Sequence, residues 1–370
     1  MSVLLKKPVF KGISQQELAQ QIEGRKKCQK KLPTWFETPG IYFPKKVNIE
    51  QTSSEISAEY KSNIVNGDSL VDVTGGFGID SYYFSKKVGA IFHCEIDQEL
   101  HEIASHNLKS LGIKNIQTYQ ENGLDFLRNS VQDFDWIYLD PSRRNQIKGK
   151  VFQLSDCEPN IVENLDLLFS KSENILLKTS PLLDITMGIK QLHSIKEVHI
   201  VAINNDVKEL LWVLKKDYFG EVGIKTINFT KSDSQLFNFV LSTEKIAAAV
   251  YSLPLCYIYE PNAAILKSGA FKCLGLQFGL KKLHPNTHLY TSEEPLDFPG
   301  RRFEIAKVVS YNKKGMKALG LKKANISIRN FPDTVVTIRK KFKIEPGGNS
   351  FLFFFKNCAN RYQVALCYKA

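Results

Sequence analysis

The sequence predicts an α/β protein: a mostly parallel sheet with helices on both faces, a helical segment before it and small α+β modules after it. Three observations carry this expectation. From about residue 68, short apolar runs alternate with helical stretches; the first run ends in a glycine-dense turn, "LVDVTGGFGID"; and positive charge is concentrated at the end of the 370-residue chain. A chain of this length exceeds one ordinary domain.

The elements follow in order. Residues 1–65 open with a polar helical pattern, "SQQELAQQIEGRKKCQKK", pass through Pro33, Pro39 and Pro44, and resume as "EQTSSEISAEYKSNIV", which reads as an N-terminal helical cap. The runs "SLVDV", "AIFHCEI", "NIQTY", "FDWIYLD", "NILLKT" and "EVHIVAIN" then alternate at first with "DSYYFSKKVG", "QELHEIASHNLKSLG" and "GLDFLRNSV". This is the pattern of βαβ units and a parallel sheet. After residue 217, "GIKTINFT" and "LFNFVLST" follow one another without a long crossover, which predicts an antiparallel edge. The sheet domain is therefore expected over residues 66–245. From about residue 250 the rhythm is irregular, and "FLFFFKN" reads as a core strand of the last module.

Composition excludes several classes. The seven cysteines are scattered without a CxxC pair, which argues against a disulfide framework and a zinc site and fits a reducing, cytoplasmic setting. His284 and His288 have a metal-like spacing, but Pro285 separates them and no carboxylate or cysteine completes a set, so they read as loop histidines and no metal is expected. "MSVLLKKPVFKG" has too short an apolar stretch for a signal peptide. "IAAAVYSLPLCYIY" is too short for a membrane span and contains Pro254, so no membrane partner is expected. Residues 301–370 hold 16 Lys/Arg against three acids, a net +13, so the first 300 residues carry about −1 of the total +12. A basic module beside a neutral one is the electrostatic footprint of a polyanion binder.

The glycine turn marks the candidate site. Gly75, Gly76 and Gly78 follow Thr74 at the end of the first strand, where the absence of Cβ permits positive φ and close approach of a ligand. The next strand ends in Glu95, about 20 residues past the first glycine, where a carboxylate can chelate ribose hydroxyls. This fits a dinucleotide or S-adenosylmethionine. Ile79 and Asp80 follow Gly78 in place of the third glycine of GxGxxG, and Asp72 at the strand end suits a cationic methionine portion better than a pyrophosphate, so the methyl donor fits better. Asn122 in "ENGLDFL" is placed either to bond an adenine edge or to cap the following helix. "WIYLDPSRR" puts Asp140 and Pro141, an acceptor and a rigid turn, at the same sheet edge.

Together "VDVTGGFGID", "HCEID", "ENGLDF" and "LDPSRR" resemble the motifs of class I S-adenosylmethionine-dependent methyltransferases, whose sheet is Rossmann-like. The flanks "NIEQTSSEISAEYK", "YEPNAAILKSGAFK", "KKLHPNTHLYTS" and "NISIRNFP" resemble a Bacteroidetes-type group of bacterial RNA methyltransferases with a ferredoxin-like module and a C-terminal THUMP-like domain. The resemblance implies a ferredoxin-like module over residues 246–300 and a THUMP-like domain over 301–370. It also implies S-adenosylmethionine as donor and RNA, a tRNA or rRNA, as partner. It places Asp72, Gly75, Gly76 and Gly78 around the methionine end of the donor, Glu95 on the ribose and Asn122 at the adenine, with Thr74 and Asp140 also among the donor contacts. Asp140 and Pro141 line the methyl-transfer position, Ser53 and Ser54 either close over the donor or cap a helix, and Arg143 and Arg144 meet substrate phosphate. Arg329, Arg339, Lys340, Lys341 and Lys343 are the expected RNA contacts of the basic tail.

The acceptor atom is narrowed by what is missing. Enzymes that methylate exocyclic amines usually carry a second proline and an aromatic where Ser142 and Arg143 stand. Carbon-5 chemistry needs a nucleophilic cysteine, yet the strand after Asp140 reads "ILLKTSP", and Cys157 in "SDCEP" is at neither expected position. Direct attack by nitrogen or oxygen is the expectation, with Asp140 as hydrogen acceptor. A methyltransferase for a small molecule or protein, and a non-catalytic nucleic-acid-binding protein that keeps the fold, remain the alternatives. Oligomeric state is not legible.

Overall fold

The computed structural model describes Phe10, residues 12–143 and residues 153–370. The chain divides into two compact units, Met1–Lys196 with Leu210–Phe219, and Glu197–Glu209 with Gly220–Ala370.

The first unit begins with four helices, α1 (Gln15–Lys31), α2 (Pro33–Glu37), α3 (Lys46–Gln51) and α4 (Glu55–Ser62). Ser14 starts α1 by accepting a hydrogen bond from the Glu17 N–H at 3.1 Å, and Lys30 and Lys31 end it where the helix dipole favours cations. Trp35, fully buried, meets Tyr82 edge-on at 4.8 Å and Phe77 at 6.3 Å between ring centroids. The helical segment thereby packs onto the glycine turn itself.

The sheet of this unit is built from β1 (Ser69–Asp72), α5 (Ile79–Phe84), β2 (Ala90–Cys94), α6 (Gln98–Ser110), β3 (Ile116–Tyr119), α7 (Gly123–Asn129) and β4 (Phe134–Leu139). A short antiparallel ladder of β5 (Ser142–Arg143) and β6 (Cys157–Glu158) follows, then α8 (Ile161–Lys171), β7 (Ser172–Thr179) and α9 (Ile185–Gln191). Next come β8 (Ile195–Ile203), most of which belongs to the second unit, and β9 (Asp206–Lys215). The strand order β9-β7-β4-β1-β2-β3 is parallel except for β9, which runs antiparallel to β7. The chain moves outward from β1 to β3 and then returns to the other side of β1 as β4. That reversal opens a crevice at the carboxyl ends of β1 and β4, the place where open α/β sheets bind ligands.

Strand β9 is a difference from the sequence reading, which assigns nothing to residues 206–215. Asn204 and Asn205 both take positive φ, 52° and 64°, and reverse the chain in two residues. No glycine advertises the turn.

In the second unit, β10 (Gly223–Phe229) and β11 (Ser234–Val240) form the expected antiparallel pair, in the order β11-β10-β8. After α10 (Leu241–Ile246) come β12 (Tyr257–Pro261), α11 (Ala263–Ser268), α12 (Cys273–Gln277), β13 (Lys281–His284) and β14 (Thr287–Ser292). Then follow β15 (Gly300–Ser310), α13 (Lys313–Leu319), β16 (Asn325–Arg329), α14 (Val335–Phe342), β17 (Phe351–Lys356) and β18 (Tyr362–Lys369). Their sheet runs β13-β14-β12-β15-β18-β17-β16. The run "FLFFF" is buried on both faces, as a core strand. Leu352 and Phe354 pack with Met316 of α13 and Ile338 of α14, and Phe353 and Phe355 pack with Phe303 and Leu289. The two histidines expected in a loop lie instead on hairpin strands, His284 closing β13 and His288 within β14, stacked on Phe271 at 3.6 Å. Among the described residues, no helix is long and apolar enough to cross a membrane.

The crevice depends on one close approach. A Cβ on Gly123, the first residue of α7, would lie 2.3 Å from the Val73 carbonyl oxygen and 2.5 Å from its Cα. Because the obstruction is the backbone that carries β1 into the turn, Gly123→Ala is expected to cost about 1 to 3 kcal/mol through overpacking. Urea unfolding checks this; an unchanged midpoint would mean that α7 is not seated on Val73.

Candidate active site

The glycine turn holds its shape for two separate reasons. Gly76 and Gly78 have φ of 60° and 84°, which side chains resist, and Gly78 starts α5 from the left-handed region. Gly75 is excluded from having a side chain by a neighbour in the same chain, since a Cβ there would fall 2.3 Å from the imidazole of His93. Its N–H donates to the Cys94 carbonyl at 2.8 Å, pinning the turn to the end of β2.

Glu95, half-buried, is locked in place by backbone donors. Its Oε2 accepts from the Gly76 N–H and its Oε1 from the Asp97 N–H, both at 2.8 Å. Each carboxylate oxygen has further lone-pair capacity, so a fixed pair of acceptors stands beside the turn. Asn122 is the N-cap of α7: its Oδ1 accepts from the Leu124 N–H at 2.9 Å. A ligand contact by Asn122 would have to use its amide nitrogen.

Beneath the turn lies a buried polar chain. Ser81 donates to Asp72 Oδ2 at 2.7 Å and lies 2.9 Å from His93 Nδ1. When Asp72 is ionised the Ser81 proton is committed to it, and the histidine then donates from Nδ1. Burial, helped by His101, lowers the pKa of His93 to about 3 and keeps it neutral. Burial raises Asp72 to about 7; hydrogen bonds from Ser81 and the Thr74 N–H oppose the rise, and the charges of Asp80 and Asp140 add to it. Burial therefore favours the neutral form of the Asp72 carboxyl.

A second buried cluster fastens the N-terminal helices to this floor. Lys61, with no exposed surface, lies 3.0 Å from Asp80 Oδ1 and donates to Ser53 Oγ at 2.6 Å. Ser53 donates to Asp80 Oδ2 at 2.9 Å, and so does the Tyr138 hydroxyl at 2.8 Å. Burial alone would raise the Asp80 pKa, but the charges of Lys61 and Lys178 and the Tyr138 hydrogen bond outweigh it and hold the carboxyl below its ordinary range. Ser54 caps α4 through the Ser57 N–H.

Asp140 stands where β4 ends, and its N–H donates to Thr74 Oγ1 at 2.7 Å, which ties it to the glycine turn. Its Oδ2 accepts from Lys178 Nζ, near the end of the parallel neighbour β7. The Asp140 side chain is 32% exposed and that of Lys178 11%. Sequence reasoning missed Lys178, and the one signal available was its place at the end of a buried strand beside the Asp-Pro strand. Pro141 follows in the turn; of Arg143 only the backbone is described, and Arg144 lies outside the described residues.

Comparison with known proteins agrees with this architecture. A ferredoxin-like domain matches residues 257–299 and a THUMP domain-like family residues 300–369. The whole chain superposes on the crystal structure of a putative methyltransferase from Porphyromonas gingivalis W83 at TM-score 0.91. Sequence identity is 31%, over 100% of this chain and 94% of that one. The chain belongs to that methyltransferase family. Partial matches include a putative methyltransferase from Streptococcus mutans in complex with SAH (TM-score 0.33, 15% identity, 44% of this chain and 96% of that one). Another is M. capricolum TrmK with S-adenosyl-homocysteine (TM-score 0.34, 15% identity, 48% and 70%). Comparison with curated proteins gives no significant match.

In the THUMP-like part of this methyltransferase-family protein, the expected RNA contacts divide into two groups. Arg329 donates to Glu260 Oε1 at 2.5 Å, and Arg301 Nε donates to Oε2 of the same buried carboxylate at 2.7 Å. Arg339 donates to the carbonyls of Ile344 and Ala324 at 3.0 and 3.2 Å. Lys340, Lys341 and Lys343 are exposed, although Lys341 also lies over the Tyr311 ring at 4.8 Å. Exposed Lys313, Lys314 and Lys317 on α13 join them, because α13 and α14 cover the same face of the sheet.

The Lys61–Asp80 pair gives a direct test. Lys61→Met leaves a buried carboxylate unpaired and is expected to cost about 3 to 5 kcal/mol in urea unfolding. Adding Asp80→Asn should restore much of the loss. A single variant as stable as the parent would show that the pair does not hold the floor together.

Proposed function

We propose that the protein is an S-adenosylmethionine-dependent methyltransferase that modifies a nitrogen or oxygen of an RNA nucleotide, in tRNA or rRNA, by direct in-line displacement without a covalent intermediate. The observation that carries the reading is the bond from the Asp140 N–H to Thr74. It joins the Asp-Pro turn to the glycine turn at the crevice where β1 and β4 end.

The residues present suit the donor. Glu95 offers two fixed acceptors to a ribose, and Asp72 offers a buried carboxyl to the methionine ammonium, with Thr74, Gly75, Gly76 and Gly78 forming the wall between them. The amide nitrogen of Asn122 is left for the adenine. S-adenosylmethionine, when bound, supplies an electrophilic methyl group on a sulfonium sulfur. Asp140 accepts the hydrogen of the attacking atom, and Pro141 stiffens its turn. Arg143 and Arg144 take substrate phosphate. The lysines of the THUMP-like domain supply non-specific grip on the RNA backbone, with Arg329 and Arg339 acting mainly to shape the domain that carries them. No cysteine stands on the strand beside Asp140, and the Thr179 hydroxyl there already accepts from Trp212 Nε1 at 2.9 Å, which favours direct transfer.

Titration calorimetry with S-adenosylhomocysteine tests the donor site. Glu95→Ala should lose roughly 1.5 to 3 kcal/mol of affinity, as for a lost charged hydrogen-bond partner. Asp72 holds its proton below about pH 7 in the free protein, and a bound ammonium favours the carboxylate. Binding between about pH 5 and 7 should therefore release a proton, visible as a dependence of the heat on buffer ionisation enthalpy and absent in Asp72→Asn. Affinity unchanged in Glu95→Ala would place the ribose elsewhere. For the RNA half of the reading, affinity for unfractionated bacterial tRNA should fall with salt by about 0.7 to 0.9 log units per log unit for each phosphate met. Lys340→Glu, Lys341→Glu and Lys343→Glu together should flatten that slope while leaving donor affinity intact. A slope unaffected by the three changes would remove the tail from RNA binding and favour a small-molecule or protein acceptor.

A further inference from the structure

We infer that the atom methylated is a hydroxyl oxygen, in RNA the ribose 2′-hydroxyl, and that Lys178 and Asp140 hold it together. The inference rests on the methyltransferase reading above and narrows it. At the methyl-transfer position the protein presents one anionic acceptor and one cationic donor in contact, a partly exposed Asp140 and a largely buried Lys178. A hydroxyl has one O–H donor and two lone pairs. It can donate to Asp140, accept from Lys178 through one lone pair, and keep the other for attack. An exocyclic amine has two N–H donors and a single lone pair, which the attack itself requires. It can satisfy Asp140 but has nothing to offer an ammonium, and the positive charge it develops would be repelled by Lys178. The pairing of charges therefore complements an alcohol.

The surroundings agree. Thr74 receives the Asp140 N–H at 2.7 Å, so the Asp140 backbone is tied to the glycine turn. The Lys178 charge also helps to hold the Asp80 carboxyl below its ordinary range. Ser142 and Arg143 follow Pro141 where stacking on a flipped base would call for an aromatic. A ribose hydroxyl can be presented without flipping a base. In the reaction, the hydroxyl O–H bond breaks with its proton passing to the Asp140 carboxylate. An oxygen lone pair forms the new C–O bond to the methyl carbon, and the C–S bond breaks with its electron pair left on sulfur. Lys178 keeps its charge throughout, and Asp140 returns the proton to water.

The experiment incubates the full-length protein and methyl-tritiated S-adenosylmethionine with total RNA from the source organism deleted for this gene, followed by complete alkaline hydrolysis. A 2′-O-methyl group blocks cleavage at its own phosphodiester, so the label is expected in alkali-resistant dinucleotides. Label in base-methylated mononucleotides would overturn the oxygen assignment while leaving an RNA methyltransferase. No label in RNA would overturn the RNA reading and this proposal with it. Lys178→Met should lower kcat by about 100-fold or more, and Lys178→Arg, which keeps the cation, should recover part of it. Both variants should bind S-adenosylhomocysteine within about two-fold of the parent by calorimetry, a readout that also reports an intact fold. Full turnover in Lys178→Met, or loss of S-adenosylhomocysteine affinity in a variant with a normal melting temperature, would remove Lys178 from the acceptor site.

Discussion

The buried Lys61–Asp80 ion pair is the interaction on which the arrangement of the site depends. Removing two charges from water is unfavourable unless other groups satisfy the remaining donors and lone pairs. Here Ser53 and Tyr138 do so, and in doing so they bring together the segment just before α4, the first turn of α5 and the end of β4. The helix that follows the glycine turn is therefore fixed from below by a strand and from the side by the N-terminal segment. Trp35 adds an aromatic contact to Phe77 within the turn itself. A crevice built this way is held by specific partners, and the side chains along its rim inherit that rigidity.

Backbone crowding at the end of β1 is the second constraint. Gly75 lies against His93 and Gly123 lies against Val73, so two of the glycines around this strand end serve packing within the protein. Gly76 and Gly78 are the ones that need a conformation side chains resist. One sequence feature, a dense run of glycines, thus has several physical origins.

Much of this was legible in the sequence. The six apolar runs became strands, the antiparallel pair formed where a long crossover was missing, and Glu95 and Asp140 stand at strand ends because alternation of strand and helix puts them there. What escaped depends on partners distant in the chain. Lys61 meets Asp80, and Lys178 meets Asp140 across two strands 38 residues apart in sequence, so no local pattern marks either lysine. Strand β9 escaped because two asparagines at positive φ make its turn, without the glycine or proline that usually signals one. In the basic tail, composition counted charges but could not say which were engaged. Arg329 and Arg339 turn inward to Glu260 and to backbone carbonyls, Lys341 lies against Tyr311 and Asp333, and Lys313, Lys314, Lys317 and Lys340 are exposed.

The central claim is that the glycine turn, Asp72 and Glu95 form the seat of a methyl donor. A crystal structure of the protein soaked or grown with S-adenosylhomocysteine tests it most directly. The ribose hydroxyls are expected on the Glu95 carboxylate, the amino group beside Asp72 and the sulfur facing the Asp140–Lys178 pair. Ligand bound away from the ends of β1 and β2, or a crevice still empty at millimolar ligand, would contradict it.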